Sequence, residues 1–191
     1  DRAAELLAAM EPDEAVDALR DLSADHRIEL LRRMPPMAAM ALRLLLGYSE
    51  DEAGGIMTST LVVAKSKDTI SKVVRRIEKA RGHDVDLDAV AVVNEDGHLV
   101  GDVTLLTILL AFQDSPETRI SSLLGDEDVV TVKPDASADE VAGQLVEARR
   151  LSLVVVDDEG APIGRILADD VLDALVPAKG RFHFPKLLTG S

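Results

Sequence analysis

Val93-Asn94-Glu95-Asp96-Gly97-His98-Leu99-Val100-Gly101 and Val156-Asp157-Asp158-Glu159-Gly160-Ala161-Pro162-Ile163-Gly164 decide the fold of this chain. Each begins at the end of an apolar run, crosses a polar turn closed by Gly, and re-enters a run that ends on a second Gly. This is the pattern of a strand, a turn and a returning strand. Gly160 follows Gly97 by 63 residues, and Gly164 follows Gly101 by the same interval. Upstream, Ser137 follows Thr69 and Val141 follows Val73 by 68 residues, so the first copy is longer by five. Those five fall around Gly82-His83-Asp84-Val85-Asp86, which reads as a loop.

Each copy predicts the order strand, helix, strand, strand, helix. In the first these are Leu61–Ala64, Thr69–Arg81, Ala89–Val93, Leu99–Val103 and Leu105–Phe112. In the second they are Val129–Val132, a helix from Ser137, Leu153–Val156, Ile163–Ile166 and Asp169–Leu175. Ser137 with Glu140 makes a capping box that fixes the second copy's first helix. Two small units sharing a core bury what neither could bury alone.

Before the duplication the period differs. Met10, Leu22, Met34 and Leu46 recur every twelve residues, each followed by a polar or Pro-containing start: Glu11-Pro12-Asp13, Ser23-Ala24-Asp25 and Pro35-Pro36-Met37. Pro or Ser at a start with an acid in the first turn is good capping chemistry. Val16/Leu19, Ile28/Leu31 and Leu42/Leu45 supply one apolar stripe, and Met10, Met34, Met37 and Met40 are expected as core filler. The expectation is a superhelical array of short helices, stopped by Gly47 and Gly54-Gly55.

Composition limits the function. The net charge of −14 repels nucleic-acid phosphates and attracts cations. It is unevenly placed: residues 1–56 carry −6, 57–116 carry −2, 117–178 carry −9 and the tail +3. With no Cys, thiolate metal sites and Cys catalysis are excluded, which suits a reducing compartment. The longest apolar stretch, roughly Val103 to Phe112, is shorter than the ~20 residues of a membrane span. Asp1-Arg2-Ala3-Ala4-Glu5 reads as the middle of a helix, so the chain is expected to be part of something longer. His26, His83, His98 and His183 are scattered without an i, i+4 pair, and Asp157, Asp158 and Glu159 read as turn formers. No nucleophile elbow, P-loop, H-E-x-x-H or kinase-type motif occurs, so a non-enzymatic role is expected.

The paired hairpin signatures resemble a tandem CBS (Bateman) module. The helical array ending in Asp51-Glu52-Ala53-Gly54-Gly55-Ile56-Met57-Thr58 makes the whole similar to the cytosolic region of MgtE-type magnesium channels. The resemblance implies an α+β protein: an MgtE N-type helical domain at 1–50, a linker at 51–58, CBS motifs at 59–116 and 117–176, and a tail at 177–191. It also implies a Mg2+-responsive homodimer joined through the CBS motifs, either at the cytoplasmic face of an attached or associated membrane channel or as a soluble relative lacking that channel.

Mg2+ is a hard octahedral ion that keeps several waters and takes one or two carboxylates. Asp13 and Asp17 lie at i, i+4; Asp170 and Asp173 lie at i, i+3, with Asp169 beside them. The resemblance implies that Asp13, Asp17, Asp170 and Asp173 hold Mg2+ between the helical domain and the second motif. Arg149-Arg150 stands where the family usually has an acid, so some of its sites are expected to be missing. The basic Val176–Pro185 stretch, with two Pro and a Gly, departs from the family's acidic connecting helix. A rival ligand for CBS pairs is an adenosyl nucleotide, held by Gly, a hydroxyl three residues on and an Asp six on. Gly101/Thr104/Thr107 lacks the acid and Gly164/Leu167/Asp170 lacks the hydroxyl, leaving Thr104 and Asp170 as partial nucleotide ligands. A purely structural dimerisation module is a third reading.

Overall fold

The structure, a computed structural model, describes residues 2–80, 87–125 and 129–175. The expected loop at Gly82–Asp86 and the 177–191 tail lie outside them. Four helices open the chain: α1 (Arg2–Ala9), α2 (Pro12–Arg20), α3 (Ala24–Arg33) and α4 (Pro36–Leu45). Pro12 and Pro36 sit in the first turns of α2 and α4, where a missing N–H costs nothing. Asp13 and Glu14 begin α2 and Arg20 ends it, matching the helix dipole at both ends.

The twelve-residue spacing holds, but the inner face is narrower than the sequence suggests. Val16, Leu19, Leu31, Met34, Leu42 and Leu45 are buried, whereas Ile28 is 64% exposed, Met37 79% and Met40 69%. Short helices in an array have one covered side. Leu42 and Leu45 take the inside of α4, so Met37, Met40 and Leu44, at i, i+3 and i+7, face out.

The expected linker is a structural element of its own. Gly54 and Gly55 do not stop a helix; they lie inside the buried turn α5 (Ala53–Ile56). At Gly55 an added Cβ would overlap the Ser49 carbonyl oxygen, so only glycine fits. The turn is stitched to the second repeat by backbone bonds: Ala53 N–H to Ala136 O at 2.7 Å, Gly54 N–H to Pro134 O at 2.7 Å and Ala138 N–H to Asp51 O at 2.8 Å. Thr58 and Arg165 exchange two more at 2.9 Å each.

The first repeat comprises β1 (Val63–Lys65), α6 (Ile70–Ala80), β2 (Ala89–Val93), β3 (Leu99–Thr104) and α7 (Leu105–Asp114). A 3-10 turn at Ile120–Leu123 precedes the second: β4 (Thr131–Val132), α8 (Ala138–Ala148), β5 (Ser152–Val156), β6 (Pro162–Leu167) and α9 (Ala168–Leu175). Both sheets have their strands in chain order, the first pair parallel and the second antiparallel. Even the irregularities repeat: β2 shifts register at Val92/Val93 and β5 at Val155/Val156. Asn94 and Asp157 close the two turns through their side-chain oxygens, and Gly97 (φ 92°) and Gly160 (φ 81°) take the left-handed positions that favour glycine. The Ser137–Glu140 capping box is formed, and its hydrogen bonds hold the Glu140 carboxyl below the usual range.

Two apolar cores result. The first repeat has its own, around Val73, Val90, Val92 and Ile108. The helical array, α5 and the second repeat share the other, which runs without a break from Ala4 to Val171. The array therefore shares its core with the second repeat and not with the first. No helix among the described residues is long and apolar enough to cross a membrane.

Candidate functional site

The four acids implied as metal ligands stand as two pairs on two helices. On α2, Asp13 is half-buried and Asp17 exposed; on α9, Asp170 is half-buried and Asp173 exposed. Both helices reach α5. Helix α9 packs against it, and Arg20 of α2 donates from Nη1 to Gly55 O at 3.5 Å and from Nη2 to Tyr48 O at 2.9 Å. Arg20 Nη1 also meets Asp17 Oδ1 at 3.1 Å. Near the start of α2, Thr58 Oγ1 lies 3.5 Å from Glu11 Oε2, just beyond α5.

Among the described residues no group of three or more His, Asp or Glu is gathered as a metal cage. The donors at hand are carboxylate oxygens in pairs. That set fits Mg2+, which retains most of its waters and needs only one or two carboxylates from the protein, better than it fits a dehydrated ion.

The two nucleotide-motif residues have local tasks. Thr104 is the N-cap of α7: its Oγ1 accepts from Thr107 N–H at 3.2 Å and shares a 2.9 Å hydrogen bond with Thr107 Oγ1. In the second repeat Leu167 takes that place, and Asp170 Oδ2 accepts from Leu167 N–H at 3.4 Å. Each repeat thus keeps one half of a capping box, the hydroxyl in the first and the carboxylate in the second.

A buried charge cluster between the repeats was not foreseen. Arg165 on β6 is 2% exposed. Its Nη1 reaches Ser152 Oγ at 2.6 Å, Asp88 Oδ1 at 3.1 Å and Asp102 Oδ2 at 3.4 Å. Ser152 Oγ in turn donates to Asp88 Oδ2, and Arg150 Nη1 to Asp102 Oδ1. Two arginines and two aspartates make the cluster neutral, with Arg165 and Asp102 buried at its centre and Arg150 and Asp88 partly exposed at its edge. The Arg149-Arg150 pair therefore has a defined place: Arg149, at φ 54°, ends α8 and lets Arg150 turn onto β3 of the other repeat. The 63-residue interval already joined Asp102 to Arg165, and opposite charges at matching places were the available signal.

A second buried acid anchors α6. Asp68, 6% exposed, accepts from Lys72 Nζ and Arg76 Nη1, each at 2.6 Å, and from Lys65 N–H at 2.9 Å. Burial alone would raise its pKa. The Lys72 and Lys65 hydrogen bonds and the charges of Arg76 and Lys72 outweigh that and hold the carboxyl below the ordinary value.

The comparisons with known proteins fall on this same division. The MgtE intracellular N domain matches residues 1–51, and the CBS domain matches residues 53–114 and 120–177. The magnesium transporter MgtE of Thermus thermophilus is 32% identical over 162 residues, 85% of this chain and 35% of that protein. That of Bacillus subtilis is 23% identical over 87% of this chain and 36% of its own length. The chain thus spans about a third of the curated relatives it matches. Among solved structures, the cytosolic domain of the Mg2+ channel MgtE in complex with ATP superposes with a TM-score of 0.83 at 32% identity, covering 91% of this chain and 70% of that one. The soluble part of a magnesium transporter gives 0.81 at 26% identity, covering 90% and 65%. Matched by both domain models along nearly its whole described length and by those structures at TM-scores above 0.8, the chain belongs to the MgtE family, as its intracellular N domain followed by its CBS pair.

Proposed function

We propose that this region is a Mg2+ sensor, regulatory rather than catalytic, serving a membrane transporter from the cytoplasmic side. The observation that carries the reading is the shared core: the Asp13/Asp17 helix contributes to the same apolar core as the repeat that presents Asp170/Asp173. The net charge of residues 1–56 and of residues 117–178 is negative, and their mutual repulsion opposes close approach. A hydrated divalent ion between the pairs reverses that repulsion. It shifts the equilibrium toward the compact arrangement by its difference in affinity for the two states.

The compact unit is a homodimer in this reading. Leu106, Leu109 and Leu110 on α7 and Leu172 on α9 are exposed in the single chain, and such apolar helix faces suit a second CBS pair. Isothermal calorimetry with Mg2+ tests the sensor. Asp13→Asn/Asp17→Asn and Asp170→Asn/Asp173→Asn are each expected to weaken binding by about tenfold or more, roughly 1.4 kcal/mol. Undiminished binding in both variants would refute the assignment.

A nucleotide reading is favoured by one observation, the ATP bound to the similar MgtE cytosolic domain. Here its marks are Thr104 and Asp170, each engaged in capping. Heat on adding ATP in Mg2+-free buffer would support it, and silence would leave Mg2+ as the ligand.

A further inference from the structure

Arg20 is the side chain through which a candidate ligand touches the α5 turn. It lies at the end of α2, its side chain 12% exposed. Its acceptors belong to three different parts: Asp17 Oδ1 on its own helix, the Tyr48 carbonyl at the end of the array, and the Gly55 carbonyl within α5. Helix α5 is itself bonded to Pro134 and Ala136 of the second repeat. Arg27, donating to the Leu19, Arg20 and Leu22 carbonyls, ties the same helix end to α3.

We propose that Arg20 is the resident counter-cation of Asp17 and the positioning residue that carries metal occupancy to α5; this rests on the Mg2+ reading above. The Asp17–Arg20 pair is an i, i+3 bridge to an exposed carboxylate, a weak kind of pair that a divalent ion can displace. The two carbonyl bonds are held by an enclosed guanidinium and stay. When an ion takes Asp17, Nη1 is freed toward Gly55 O, a contact now at 3.5 Å, near the limit of a hydrogen bond. Metal at α2 thereby tightens the array against α5 and the second repeat. By linkage, a chain held tight at α5 binds the ion more firmly.

The test uses the full chain with Arg20→Gln and Arg20→Lys, read by Mg2+ calorimetry and by hydrogen exchange of the Ala53, Gly54 and Thr58 amides with and without Mg2+. Arg20→Gln removes the competitor and the link together. Mg2+ affinity is expected to rise by roughly threefold, while the Mg2+-induced protection of those amides disappears. A merely structural arginine would lower affinity or leave it unchanged. Arg20→Lys keeps the competing charge but cannot fork onto two carbonyls; it loses most of the amide response and, by the same linkage, binds Mg2+ more weakly than the unaltered chain. Amides of β2, in the separate core, report whether the fold is intact. Unchanged or lowered affinity in Arg20→Gln, or persistent protection of the three amides in both variants, overturns the proposal. Absence of any Mg2+ heat with the unaltered chain overturns the sensing reading itself, and this proposal with it.

Discussion

Asp102 and Arg165 occupy the same place in the two repeats, 63 residues apart, and their side chains meet between the sheets, Oδ2 to Nη1, at 3.4 Å. A duplicated unit would place identical groups face to face there. Opposite charges instead favour pairing of the first repeat with the second over pairing of like with like, by the same logic that sets partner choice in other self-complementary interfaces.

The energetic consequence is measurable. Arg165→Met leaves Asp88 and Asp102 without their shared cation and is expected to cost about 3 kcal/mol in urea unfolding. Arg165 Nε and Nη2 have no partner among the described residues, so the native cluster is imperfectly satisfied. The double variant Asp102→Leu/Arg165→Met should therefore regain most of the loss, giving a coupling energy of about 2 kcal/mol in a double-mutant cycle. Additive losses would show that the two side chains do not act on each other.

Asp68 sets an acid limb. Its folded pKa is depressed, so its contribution is fully present above the ordinary Asp value and is lost as pH falls through the lower, folded one. Asp68→Asn should lower stability at neutral pH by about 2 kcal/mol and make the decline on acidification shallower. A variant whose stability falls with acid as steeply as the unaltered chain would contradict this.

At Gly55 the backbone leaves no room for a methyl group. Gly55→Ala should cost about 3 kcal/mol, lowering the melting temperature by about 9 °C. Exchange should quicken first in the core shared by the array and the second repeat. Equal stability would mean that α5 is not seated as described.

These cases also show what the sequence could and could not convey. The repeat was legible because its hairpins need particular chemistry: a polar turn opener at Asn94 and Asp157, and glycine at 97 and 160. Gly54 and Gly55 read as helix stops in the sequence because glycine pairs usually end helices, yet they lie inside α5. Here their small size serves close packing, a tertiary demand invisible in local pattern. Met37 and Met40 were misplaced for a related reason: periodicity gives a stripe, but not which half of it a neighbour covers. The four aspartates were legible as helical pairs. The reach of Arg20 to a carbonyl 35 residues further along the chain was not, since no local rule predicts it.

Association should depend on α7. Leu109→Asp is expected to yield a monomer in sedimentation velocity, whereas Met40→Asp, on the exposed face of the helical array, should sediment unchanged. A dimer surviving Leu109→Asp would move the interface elsewhere.

Small-angle scattering of the chain with and without millimolar Mg2+ tests the central claim most directly. A sensor whose two acidic helices are drawn together by the ion predicts a smaller radius of gyration with Mg2+, and no change in Asp170→Asn/Asp173→Asn. An identical radius with and without the ion in the unaltered chain would contradict the account.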